Sequence, residues 1–288
     1  MNTKGFSTDA LFKGLCRSGA ALGLLLAIAL AAALVWASAD LWRAQGLRFL
    51  LSDDWNPAGG SFGAAGAVVG TLVTTGLALV VAVPLAFAAA LFVNAAPPWL
   101  GRPLAHALDL LAAIPSVVYG MWGLFVLCPL LQSALAAVGV ETTGFGVLAA
   151  ALVLALMVLP YVSAVMRDAL AQTPPALLES AAGVGCTRWE AMWDVVVRAQ
   201  KRAFVGGILI GLGRALGETM AVLMILSPGL NYSVKLLQAS QNQTIAANIA
   251  AQYPEANDLG VSVLIGTGLV LFLITFVVNF IARKLTEK

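Results

Sequence analysis

The sequence predicts an all-α polytopic membrane protein, threaded six times through a lipid bilayer with both termini on the cytoplasmic side. Three observations carry that fold class. Hydrophobic residues make up 60% of the 288-residue chain and charged residues 10%, with a mean hydropathy of +0.93, far from the balance of a soluble domain. Apolar runs of about 18 residues or more, long enough to cross the hydrocarbon core, recur along the chain. The lysines and arginines between those runs fall almost entirely in alternate loops.

The six runs occupy roughly 19–37, 67–93, 108–131, 146–165, 204–226 and 261–281. The first follows Lys4, Lys13 and Arg17 and precedes Ala37-Ser38-Ala39, the layout of a signal peptide. Its apolar stretch is longer than a secretory core, so a retained span is expected. Residues 1–66 then form a cytoplasmic segment, the first span and an outer loop, and 67–288 form the transmembrane core. Pro84 and Pro160 each remove a helix donor; ordinary kinks supported by neighbouring helices account for them without a gating hinge. With the N-terminus inside, the inner segments hold Lys4, Lys13, Arg17, Arg102, Arg167, Arg188, Arg198, Lys201, Arg202, Arg283, Lys284 and Lys288, whereas the outer loops hold Arg43, Arg48 and Lys235. That asymmetry sets the orientation. In the long outer loop, 227–260, the stretch 236–252 could form a helix lying on the outer surface.

Several chemistries are excluded. Cys16, Cys128 and Cys186 are dispersed, so neither a disulfide framework nor a metal site is indicated. His106 is the single histidine, which removes most His-based metal or triad chemistry, and no cofactor is expected. There is no GxxxxGK[ST] run to cradle ATP phosphates, and nothing suggests nucleic acid. Apart from Arg214, Glu218 and Asp109 the spans are almost bare of catalytic groups, so a transport subunit is expected rather than an enzyme.

The inner loop 167–203 is the most patterned part of the chain. Thr173-Pro174 reads as an N-cap followed by a first-turn proline. Gly183 and Gly185 supply a stop and a tight turn, and Thr187-Arg188-Trp189-Glu190 is a capping box. Two short helices around a glycine turn follow, with Trp189, Met192 and Trp193 on one apolar face. Two readings stand: an interfacial helix lying among lipid headgroups, or a docking element for a soluble partner.

GLGRALGETMAV, at 211–222, places two charges inside the fifth run. Arg214 lies roughly 15 Å in, at about 1.5 Å per residue, and Glu218 one turn deeper. Each charge costs about 2.5–3.5 kcal/mol at mid-bilayer, so compensation is needed. The i, i+4 spacing predicts a mutual ion pair, and Gly207 and Gly211 on the same face predict close packing toward protein rather than lipid. The pair is then either a structural clamp or an anion step, with Arg214 presented to a passing oxyanion and Glu218 limiting its affinity.

ESAAGVG, at 179–185, resembles the EAAxxxG signature of the membrane subunits of bacterial ABC importers, with Ser180 replacing an alanine. RALGETMAV (214–222), IPSVVYGMWGL (114–124) and GCTRWE (185–190) together resemble the PstC-type permeases of phosphate importers. That resemblance implies a type I ABC importer permease fold. Glu179, Ala181, Gly185, Trp189 and Glu190 would lie in a coupling loop on an ATPase, and Arg214 and Glu218 in the path of inorganic phosphate. The implied partners are a homologous second permease subunit in a heterodimer, two cytoplasmic ATP-binding subunits, a periplasmic phosphate-binding protein and membrane lipid, all at the bacterial inner membrane. Sulfate or molybdate permeases carry a related RALGE segment and give the alternative. A secondary anion transporter is a further one, but it should show an internal repeat with discontinuous helices in matching positions, which the sequence does not display, and it would not need the ordered loop.

Overall fold

The structure, a computed structural model, describes residues 8–56, 59–226 and 243–287. Among these no β-strand occurs beyond an isolated bridge between Asn56 and Ser61. Helix α1 (Thr8–Ala37) leads into two short helices, α2 (Ala39–Ala44) and α3 (Arg48–Leu51), and then α4 (Ala65–Ala95). Next come α5 (Pro98–Ala113), α6 (Ser116–Trp122), a π-turn over Gly123–Leu127, and α7 (Cys128–Ala137). Helix α8 (Val147–Ala171) precedes the inner loop, which contains α9 (Pro175–Gly183), α10 (Arg188–Glu190), a π-turn over Ala191–Val196 and α11 (Val197–Ala199). The chain ends with α12 (Lys201–Leu216), α13 (Met220–Ile225), α14 (Ile245–Gln252) and α15 (Asp258–Glu287).

Five stretches among the described residues are long and apolar enough to cross a membrane: Ala10–Ala37, Ala65–Ala95, Ser116–Ala137, Val147–Ala171 and Asp258–Lys284. The expected run 108–131 is therefore shifted along the chain to 116–137, because Pro115 cannot continue α5 and the chain restarts at Ser116. The expected run 204–226 is broken between α12 and α13, so neither half qualifies alone. The stretch 236–242 lies outside the described residues. The rest of that expected surface helix, α14, buries Ile245, Ala247 and Asn248, and the Ile245 amide donates to Thr71 Oγ1 of α4 at 2.9 Å. It is tucked into the bundle rather than laid upon it.

The centre of the fold is the α4–α8 pair. Ala78, Ala82, Ala86 and Ala90 form a four-residue-spaced stripe on α4, all fully buried. They pack in one cluster with Leu154, Val158, Val162 and Met166 of α8. In a bilayer, helix association rests on close van der Waals packing, and alanine lets the backbones approach. A second cluster joins Tyr119, Val153, Met157, Ala221, Val222 and Ile225, holding α6 and α13 against α8. Gly120 sits so close to α13 that an added Cβ would lie 2.9 Å from the Ala221 Cα. The two helix restarts are thus packed against each other.

Candidate functional site

Arg214 lies in the last turn of α12, and Glu218 lies beyond its end. The expected i, i+4 ion pair is not formed, in contrast to Arg43–Asp40, Arg167–Asp109 and Arg198–Asp194, which are. The physical reason is the local sequence. Gly217 is a poor helix former and becomes the C-cap of α12, and β-branched Thr219 begins the next element. Glu218 then serves the restart: its Oε1 accepts from the Ala221 amide at 3.3 Å, satisfying one of the orphan donors of the first turn of α13. The carboxylate residue is only 9% exposed.

Arg214 has a different partner. Its Cζ lies 4.3 Å from the centroid of the Tyr161 ring, a cation–π distance. Its Nε is buried and has no hydrogen-bond partner among the described residues. The guanidinium also stands at a helix C-terminus, where the unpaired carbonyls carry partial negative charge. The compensation that the spacing assigned to Glu218 therefore comes from a π face and a helix end.

Glycine packing sets this geometry. A Cβ at Gly211 would lie 2.5 Å from Val162 Cγ2 and 2.8 Å from Val158 Cγ1, and one at Gly207 would lie 3.1 Å from Val165 Cβ. Both glycines face α8, which brings α12 close enough for Arg214 to reach Tyr161. Tyr161 is itself anchored: its hydroxyl donates to the Ala112 carbonyl at 2.8 Å, while Tyr119 donates to the Leu111 carbonyl at 2.8 Å. Two phenols thus cap the end of α5 beside the first helix break.

In the inner loop, Thr173 does not cap α9. Pro174 occupies the cap position, and the Thr173 hydroxyl bonds to the Ala169 carbonyl and accepts from Gln200 Nε2, tying the two ends of the loop. Gly185 adopts φ +88°. The Cys186 amide reaches the Ala181 carbonyl and the Gly185 amide the Ala182 carbonyl, the Schellman pattern, whose left-handed position favours glycine. Ala181 is buried under this turn, and Glu179 points to the exposed side. The Thr187–Glu190 capping box is present in both directions. Trp189 is 66% exposed and stacks on Trp193 at 5.8 Å. Trp193 in turn meets Phe87 of α4 edge-on, and Phe87 meets Phe204 of α12. An aromatic ladder therefore runs from the exposed loop to the helix that carries Arg214.

Sequence reasoning missed Tyr161, Tyr119 and Phe87. The available signal was a tyrosine directly after Pro160 in an otherwise apolar run, where a polar tip needs a partner. It also missed the two discontinuous helices, at 114–115 and 217–219. Irregular backbone at membrane depth is tolerated where protein buries it or it lines a polar cavity.

Comparison with known proteins places this geometry in context. Residues 82–288 match the family described as "Binding-protein-dependent transport system inner membrane component". The chain belongs to this family. It is therefore a multi-pass membrane component of a transport system. The chain is 43% identical to the "Phosphate transport system permease protein PstC" of Pasteurella multocida, over 96% of this chain and 91% of that protein. It is 40% identical to the protein of that name from Xylella fastidiosa strain 9a5c, over 96% and 89% of the two chains. Against the one from Haemophilus influenzae the identity is 39%, over 97% and 93%. Among solved structures, an inward-facing MetNI methionine ABC transporter superposes with a TM-score of 0.56 at 17% identity, covering 77% of this chain and 92% of that one. That likeness establishes the type I importer permease fold.

Proposed function

We propose that this chain forms half of the translocation pathway for inorganic phosphate in an ATP-driven importer of the bacterial cytoplasmic membrane, with Arg214 and Glu218 in that pathway. The observation that carries the substrate is the near end-to-end similarity to permeases named for phosphate transport. The chemistry agrees. A planar guanidinium whose charge is not spent on a carboxylate offers edge N–H donors matched to an oxyanion. Glu218 close by keeps such a site from holding an anion too tightly for release. Counting α12 and α13 as one broken span gives six crossings, with both termini cytoplasmic.

The loop 167–203 is the coupling element in this reading. Glu179, Ala181, Gly185, Trp189 and Glu190 meet one of two separate ATP-binding subunits, and Trp189 supplies an exposed aromatic anchor. A homologous permease completes the pore, and a periplasmic phosphate-binding protein delivers substrate from outside. Arg214→Gln in the assembled complex should abolish uptake of radiolabelled phosphate; normal uptake would refute the pathway role. Uptake competed away by sulfate or molybdate would refute the substrate. An ATP-binding chain should co-purify with the wild type and be lost on combining Glu179→Ala with Gly185→Val; retained assembly would refute the coupling role.

A further inference from the structure

We propose that Tyr161 is the positioning residue for Arg214: its ring seats the guanidinium so that Glu218, four residues on, does not quench the charge. This rests on the reading that Arg214 lies in an anion pathway. Four observations carry it. The guanidinium carbon stands 4.3 Å over the ring, and the pair Arg214–Glu218 is absent from the ion pairs of the described residues. The Glu218 carboxylate is engaged instead by the Ala221 amide. The ring itself is anchored, its hydroxyl donating to the Ala112 carbonyl at the end of α5.

Geometry explains why a ring suits this task better than a carboxylate. A guanidinium is flat, with its donors at the edge and a bare face. A π system covers the face and leaves the edge free, whereas a carboxylate takes two edge donors and cancels the charge. Arg214 and Glu218 adjoin the break at 217–219, where the chain is not held by regular helix hydrogen bonds, so an unseated arginine can turn toward the carboxylate. Two arrangements then compete. Only the seated one presents a cation to an oxyanion, and the transport rate scales with the fraction of complexes that adopt it. Pro160 stands one residue before Tyr161, and the Pro160 carbonyl accepts from the Ser163 hydroxyl at 3.0 Å. These features fix the local path of α8 at the seat.

The test uses the whole transporter in vesicles with saturating binding protein, radiolabelled phosphate and internal ATP. Tyr161→Leu should lower uptake about tenfold, the effect of shifting most complexes to the unseated state. Tyr161→Phe, which keeps the ring but loses the tie to Ala112, should fall between Tyr161→Leu and wild type. An experimental structure of the assembled Tyr161→Leu transporter should have Arg214 within hydrogen-bonding distance of Glu218. A Tyr161→Leu rate equal to wild type overturns the inference, as does an Arg214 that still points away from Glu218 once the ring is gone. Arg214→Gln is the control: if it transports normally, the pathway reading itself fails. If it is inactive while Tyr161→Leu is unaffected, only the seat fails.

Discussion

Gly211→Ala tests how helix packing places the charged residue. The new methyl would stand 2.5 Å from Val162 Cγ2 and 2.8 Å from Val158 Cγ1, inside the 3.5–4.0 Å optimum for carbon contacts by about 1 Å. Neither valine can retreat easily. Both are fully buried, and β-branched side chains in helices hold one χ1 rotamer. Overpacking of this kind costs about 1–3 kcal/mol. It is offset by about 1 kcal/mol from replacing glycine in a helix. Gly213→Ala isolates that offset, because nothing lies within 4 Å of its added Cβ. The difference between the two variants is therefore about 1–3 kcal/mol from contact alone. At about 2–4 °C per kcal/mol for domains near this size, Gly211→Ala should melt roughly 2–12 °C below Gly213→Ala in thermal scans of the purified complex. Val162→Ala added to Gly211→Ala should narrow the gap by removing the nearest clash. Equal melting of Gly211→Ala and Gly213→Ala would refute the close approach of α12 to α8.

Two further outcomes follow from the loop 167–203 and the end of α8. Glu190 titrates below the usual carboxylate range because the Thr187 amide and hydroxyl donate to its carboxylate. A depressed folded value means that the capping box is fully stabilising above the unfolded carboxylate pKa and weakens as pH falls through the folded one. Hydrogen exchange at Ala191 and its neighbours, corrected for intrinsic rates, should rise on acidification in wild type and not in Glu190→Gln; the same pH response in both would refute this. Thr187→Ala should increase local opening about fivefold at neutral pH, from about 1 kcal/mol for a lost N-cap. Arg167 pairs with Asp109 at 3.0 Å, but the carboxylate is more than half exposed, so Asp109→Asn should cost only about 0–1 kcal/mol. Arg167→Ala should cost more in the same thermal scans, since Arg167 also donates to the Ala105 carbonyl and its side chain is only 19% exposed; equal costs would refute that division.

Much of the fold was legible because its signals are local. The long runs that became α1, α4, α8 and α15 announce themselves by hydropathy, and the turn at Gly185 and the box at Thr187–Glu190 announce themselves by chemistry confined to a few residues. The helix breaks were not legible for the opposite reason. Residues 108–131 and 204–226 are still apolar enough that a hydropathy window runs through Pro115 and Gly217 without pause. Pro84 and Pro160 sit inside continuous helices, so proline alone does not mark a break. What separates the cases is tertiary: the ends at 114–115 and 217–219 are held by Tyr119, Tyr161 and Glu218, contacts made across the bundle or across the gap.

The same distinction explains why the charged residues were found while their arrangement was not. Spacing of four residues implies adjacency only if the helix continues, and Gly217 ends it one residue before Glu218. A broken helix frees backbone groups at membrane depth, where each unsatisfied group costs several kcal/mol, on the order of the charge itself. Here the two costs are met together. The open carbonyl end of α12 favours the Arg214 cation, the open amide end of α13 is capped by the Glu218 anion, and a tyrosine ring seats the cation from the side. An intact helix with a closed ion pair would leave the guanidinium neutralised and two of its five donors occupied. Breaking the helix between the two charges keeps each one compensated by backbone, which leaves the cation able to meet an anion that is not part of the protein.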